Sequence, residues 1–350
     1  MKALLWVRVL NEVGAFALAF LAVVAGPHLV TAALTVFGVA ALASRWAGGV
    51  LLDRLRPPTL VVGGLTATGL ALLALAAART PWQILAAIAA TGLAFELYEP
   101  ATSEILARAT EGDRRRDAYA LLGASLTAAG AVSGLLAAVL LPFGVRWLLV
   151  ADAATCLAAA VVAQAFLPPQ EAPVRRKGRW RPPTLLIRLT GAATAYAVGY
   201  LAILMFMPFV LLQRGAPAWL PGLTLATAAL LAPAARRPLS GHPRAMLLLT
   251  CALALAMGLA RDVPLTVAAY LAWAMAGSAL LGHWPALAAD LAPPADRPRW
   301  FAFLGLSWGI AQPAVPGIVG LVAAVSGRAS AAPLAAAMAF VVAVSAGAAR

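Results

Sequence analysis

The chain has 350 residues, of which 63% are hydrophobic and 11% charged, and 26 basic against 13 acidic side chains leave a formal net charge of +13. A water-soluble domain of this length keeps far more polar surface, so a soluble globular protein is excluded. The basic residues fall in short clusters between apolar runs, with no aromatic-interleaved basic face, which excludes a nucleic-acid surface and leaves lipid headgroups as their partners.

Twelve apolar runs follow one another, each about as long as the roughly 20 residues a bilayer core demands of a helix. In chain order they lie at about 4–25, 29–52, 59–79, 82–106, 118–141, 145–167, 185–212, 218–235, 244–260, 264–290, 300–326 and 331–349. None alternates apolar and polar residues at period two, as barrel strands would, so each is predicted to be a helix that satisfies its own backbone in lipid. Span 1 follows Lys2 in the manner of a signal peptide, but Asn11 and Glu12 interrupt it and eleven spans follow, so it is predicted to be retained. Loops after the even-numbered spans hold Arg54 and Arg56, Arg108 with Arg114–Arg116, the run from Arg175 to Arg181, Arg236 and Arg237, and Arg297 and Arg299. Opposite loops hold only Arg79, Arg146, Arg214, Arg261 and Arg328. This bias predicts a multi-pass protein of the cell membrane with both termini cytoplasmic.

Shifted by 185 positions, the second half answers the first. Gly92 falls on Gly277 and Pro100-Ala101 on Pro285-Ala286; after a three-residue deletion in the following loop, Gly123 meets Gly305. Span 4 is thereby joined to span 10 and span 5 to span 11, the mark of six helices duplicated in parallel orientation. The expected organisation is an N-terminal six-helix bundle over 1–167, a proline-rich basic cytoplasmic linker over 168–184 and a C-terminal six-helix bundle over 185–350.

The loop after span 2 reads Gly49-Val50-Leu51-Leu52-Asp53-Arg54 and, with twelve spans in two halves, resembles the major facilitator superfamily. That resemblance implies an all-α integral membrane protein with two pseudo-symmetric six-helix bundles. It also implies a cytoplasmic gating motif at Gly49, Asp53 and Arg54, in which the glycine lets helix 2 approach a neighbour. The family's following Gly-Arg is replaced by Arg56-Pro57-Pro58, so Arg56 is expected to serve in the latch. Gly130-Ala131-Val132-Ser133-Gly134 resembles the first half of an antiporter motif, and its glycines four apart are also a helix-packing pattern. Tyr98-Glu99-Pro100-Ala101 and the acidic-basic loop beyond it resemble efflux members, although the arginine many proton-coupled members carry in span 4 is absent.

Ionisable side chains inside spans are costly and point to a pathway or coupling role. Glu12 lies one turn beyond Arg8, so it reads either as a protonatable cavity carboxylate or as half of an Arg8–Glu12 pair. Glu96 and Glu99, three apart, share a helix face, where two carboxylates repel; that suits a site which loads and releases a proton. Asp152 is expected to pair with Arg146, and His283, at the repeat-related place of Tyr98, is a candidate switch. Asn11 completes the candidate proton and substrate site. Tyr196, Tyr200, Phe206, Trp273 and Trp308 are candidate linings for a lipophilic substrate, and Pro208, Pro285, Pro313 and Pro316 mark expected kinks.

Cys156 and Cys251 have no metal-ligand spacing and read as small core residues. No metal, cofactor or catalytic constellation is expected: the one acidic loop cluster, Glu111, Asp113 and Asp117, is interleaved with three arginines. The reading is a secondary transporter that exports a small lipophilic compound by proton antiport through alternating access. Its partners are substrate, protons and membrane lipids, and it acts as a monomer. Proton-coupled uptake of a small polar nutrient is the alternative; it is disfavoured because a single Asn, Asn11, occurs in the whole chain.

Overall fold

The computed structural model describes residues 2–52, 54–109, 112–169, 181–239, 241–280, 283–293 and 296–348. All regular structure among them is helical, and the chain divides into two compact units, Met1–Lys177 and Gly178–Arg350. Unit 1 comprises α1 (Lys2–Val13), α2 (Ala17–Leu52), α3 (Pro57–Ala77), α4 (Pro81–Phe95), α5 (Glu99–Ala109), α6 (Gly112–Leu140) and α7 (Val145–Phe166). Unit 2 comprises α8 (Thr184–Gln213), α9 (Leu220–Leu239), α10 (Pro243–Leu259), α11 (Val263–Ser278), α12 (His283–Leu291), α13 (Arg297–Ser326) and α14 (Arg328–Ala348).

Among the described residues these helices group into the twelve spans expected. A 36-residue α2 would be about 54 Å long, nearly twice a hydrocarbon core of roughly 30 Å. Gly26, at φ 69° and ψ 176°, opens it into two, a conformation that costs glycine little, and Pro27 restarts the helix in its first turn. Span 1 is then α1 with the start of α2, and span 2 the remainder. Spans 4 and 10 are each two helices, α4 with α5 and α11 with α12. Proline also opens α3, α4, α10 and α11, where its missing N–H would have no helical partner. On the starts of spans 4 and 10 a side chain completes the cap: Thr80 and Gln83 form a reciprocal box, and Asp262 accepts from the Leu265 amide at 2.7 Å.

The same pairings recur in both units. In unit 1, α3 packs against α4 and α7, α2 against α4, and α1 against α6 and α7. In unit 2, α10 packs against α11 and α14, α9 against α11, and α8 against α13 and α14. Lipid removes the hydrophobic drive between helices, so close approach of small residues must supply the contact. Buried Ala153, Cys156, Ala159, Ala160 and Ala163 on α7 serve this purpose. A side chain at Gly14 would collide with Thr155 of α7, and one at Gly199 of α8 would lie 2.7 Å from the Phe340 ring of α14. Arg146 donates to the Ala78 carbonyl at 3.0 Å, tying the start of α7 to the end of α3. Arg214 likewise donates to the Met257 carbonyl of α10 at 2.8 Å and also binds Thr266.

Pro208, Pro313 and Pro316 lie inside helices that continue through them, where each removes a backbone donor without ending the helix. Outright interruptions occur beside Pro285, one of the four prolines expected to mark kinks, and beside Pro100. Pro100 has no N–H to offer the Glu96 carbonyl, and its ring crowds that carbonyl. Glu96, Leu97 and Tyr98 accordingly form turns between α4 and α5. Pro285, its counterpart at an offset of 185, stands in the first turn of α12, after the interruption that follows Ser278.

Candidate functional site

The interruption in span 4 sets a polar network inside unit 1. It turns Glu96 and Glu99 toward different neighbours, so the expected repulsion between them gives way to two separate ion pairs. Glu96 receives two contacts from Arg45 of α2, Nη2 to Oε1 at 2.9 Å and Nε to Oε2 at 3.2 Å, the bidentate geometry that suits guanidinium. Glu99 receives Arg8 Nη1 of α1 at 2.5 Å. Arg8 thus crosses to span 4 instead of pairing only along its own helix with Glu12, because the interrupted backbone of span 4 lies against α1.

Glu12 makes no ion pair within 4 Å among the described residues, yet it is within electrostatic reach of both Arg8 and Glu99. Asn11 Nδ2 donates to the Tyr98 hydroxyl oxygen at 2.8 Å, and Cys156 Sγ donates toward Asn11 Oδ1 at 3.4 Å. The same single S–H can turn instead to Asp152, buried on α7, whose Oδ1 lies 3.5 Å from the sulfur. Cys156 is thus the buried core residue its sequence suggested and at the same time a member of a polar chain. Asn11, Glu12, Glu96 and Glu99 all belong to this one region of unit 1, while His283 lies in unit 2.

Arg8 was legible in the sequence only as a partner for Glu12, and Arg45 was passed over altogether. The signal for Arg45 was available: a charge within span 2, some turns before its loop, needs a partner inside the bundle. At the gating motif, Arg54 and Arg56 are exposed at the turn into α3, and Asp53 lies outside the described residues. The close approach ascribed to Gly49 is made by Gly48, where a Cβ would lie 2.6 Å from the Leu97 carbonyl oxygen; one at Gly49 would meet open space. Of the packing pair, Gly134 is buried, and a Cβ at Gly130 would meet open space.

Unit 2 carries rings where unit 1 carries charge. At the 185-residue offset, Tyr196 stands for Asn11, Ala193 for Arg8, Ala197 for Glu12, and Trp284 for Glu99. Tyr196 lies 6.1 Å, centroid to centroid, from Tyr200 and the same distance from Trp284. Tyr200 lies 5.2 Å from Trp273 and 5.5 Å from Trp308. His283 sits edge-on to Trp284 at 5.3 Å. The Tyr196 hydroxyl donates to the Gly277 carbonyl at 3.3 Å.

A sequence profile described as Major Facilitator Superfamily matches residues 9–243. The chain belongs to this superfamily. It is a multi-pass integral membrane protein, a secondary transporter and not an enzyme. No curated protein sequence matches it. Similar solved structures include a bacterial homologue of the human lysosomal transporter Spinster in an inward-facing, occupied conformation, with TM-score 0.75, 15% identity, and coverage of 99% of this chain and 94% of that one. A peptide transporter POT in complex with sulfate gives 0.74 at 16% identity over 97% and 93% of the two chains. The nucleoside transporter NupG gives 0.74 at 13% identity over 99% of each. At these identities the likeness is one of fold.

Proposed function

We propose that this superfamily member exports a small lipophilic compound in exchange for protons, by alternating access of its two halves. The observation that carries the reading is the trio of Arg8, Glu12 and Glu99, in which Arg8 binds Glu99 while Glu12 lies within electrostatic reach of both. The trio holds one formal acid more than base, so it has room for one proton. Two carboxylates compete for Arg8, and a proton on either hands the guanidinium to the other. A transferable charge of this kind is what a coupling site in an apolar bundle requires. Glu96, matched one to one by Arg45, is assigned to holding span 4 against span 2. Asn11 and Tyr98 hold the interrupted segment of span 4 against span 1.

The aromatic group of unit 2 supports a lipophilic substrate, since apolar and aromatic linings with few polar groups suit such ligands. His283 borders that group through Trp284. The gating role stays with the Asp53, Arg54 and Arg56 segment, with Gly48 supplying the helix contact. The protein is placed in the cell membrane as a monomer with both termini cytoplasmic, its arginine clusters facing anionic headgroups.

Proteoliposomes with an imposed pH gradient test the reading, with a panel of fluorescent lipophilic compounds as cargo. Native protein is expected to move a cargo against the proton flux, and a protonophore to abolish the movement. Glu12→Gln and Glu99→Gln should lose gradient-driven transport by about tenfold or more while Glu96→Gln retains its pH dependence. Unchanged transport and pH dependence in both Glu12→Gln and Glu99→Gln would reject the assignment. Cargo movement along the proton flux would replace export with uptake.

A further inference from the structure

Among the described residues, few buried side-chain polar atoms lack a hydrogen-bond partner, and two of these are the indole nitrogens of Trp273 and Trp284. Both tryptophans are more than nine-tenths buried, at 2% and 8% exposure. Both belong to the aromatic stripe of unit 2, which runs Trp273, Tyr200, Tyr196, Trp284 with centroid spacings of 5.2, 6.1 and 6.1 Å. Four different crossings supply its members and flanks: α8, the α11 and α12 pair, α13 through Trp308, and α14 through Phe340.

The fold does not require this stripe. At the repeat-related positions of unit 1 stand Ile88, Ala15, Asn11 and Glu99, and that bundle closes with the same helix pairings. Simple packing of apolar surface would be served by leucine or phenylalanine, with no donor to satisfy. Burying an indole N–H without an acceptor costs free energy, and proteins leave few such donors unpaired. Tyr196 in the same stripe shows the satisfied case, with its hydroxyl on the Gly277 carbonyl.

We infer that the aromatic stripe of unit 2 is a ligand subsite whose two unpaired indole N–H groups receive hydrogen-bond acceptors on an uncharged aromatic compound, such as an aryl ketone or ester. A bound ligand would displace ring–ring contacts within the stripe, and the indoles would select ligands with an acceptor oxygen. This deepens the lipophilic-substrate reading and rests on it for its place in transport, but not on proton coupling.

Equilibrium binding to the full chain in lipid nanodiscs tests the inference without any gradient, using tritiated 1-acetylnaphthalene and the near-isosteric 1-ethylnaphthalene, with empty discs subtracted. Failure here leaves proton antiport standing, and failure of antiport leaves this binding standing. The ketone should bind about fivefold or more tighter than the hydrocarbon, the worth of one neutral hydrogen bond. In Trp273→Phe/Trp284→Phe the two probes should bind alike, with the hydrocarbon bound as in the native chain. Equal binding of both probes to native protein, binding of neither, or a ketone preference that survives the double substitution would each overturn it. If the double variant does not purify as a folded species, Trp273→Phe and Trp284→Phe are measured singly; a full ketone preference in both overturns the inference.

Discussion

Arg8 shows how little a charge means until its partner is known. On its own helix its neighbour is Glu12, one turn on, but its bond is to Glu99, 91 positions away. The pair should behave as a unit in a double-mutant cycle. Arg8→Leu and Glu99→Leu are each expected to destabilise the purified protein by about 1–2 kcal/mol, well below a fully buried pair because Glu99 is 42% exposed. The double variant should lose less than the sum of the singles, and thermal unfolding in detergent reads the difference. Neighbouring glycines make a sharper contrast. Gly48→Ala puts a methyl 2.6 Å from the Leu97 carbonyl and should cost about 1–3 kcal/mol, whereas Gly49→Ala, with open space around it, should be neutral or mildly stabilising. The same unfolding assay separates them.

Span 4 is where an element rather than a residue determines the chemistry. Were α4 and α5 one straight helix, Glu96 and Glu99 would sit near one face, as their spacing of three implies. The turns beside Pro100 separate them, one onto α2 and one onto α1, and each finds an arginine there. Pro100→Ala restores an N–H able to reach the Glu96 carbonyl. It should therefore slow amide exchange over 96–100, measurable by hydrogen exchange and mass spectrometry, while weakening one of the two ion pairs. A matching interruption in span 10 is followed by the rings of His283 and Trp284 and holds no acid, so the equivalent Pro285→Ala should alter exchange after Ser278 but leave the pH dependence of transport as it is.

At the scale of the whole molecule, duplication has kept helix pairing and let side chains diverge. One unit gathers Arg8, Glu12, Glu96, Glu99, Arg45 and Asn11; its counterpart gathers Tyr196, Tyr200, Trp273, Trp284 and Trp308. On the function proposed above, this division would give proton handling to one half and apolar recognition to the other. Topology is testable at the same scale. A cysteine introduced at Arg261 should react with an impermeant maleimide added outside intact cells, and one at Arg54 should react only after the membrane is opened.

Twelve spans, their helical state, the duplication and the superfamily were all legible in the sequence by itself. Bilayer thickness and the cost of an unpaired backbone in lipid leave a 20-residue apolar run one structure to adopt, so hydropathy suffices for the spans and their helical state, while matched glycines and prolines and the Gly49–Arg54 motif carry the rest. Pro100 and Pro285 were visible too, as a matched pair. Who binds whom was decided only by tertiary structure. Arg45 with Glu96, Arg8 with Glu99, Cys156 within a polar chain, and Gly48 in place of Gly49 each depend on the direction in which a helix is turned. Composition and spacing leave that rotation free; it is set by small residues meeting across helices and by the break beside a proline.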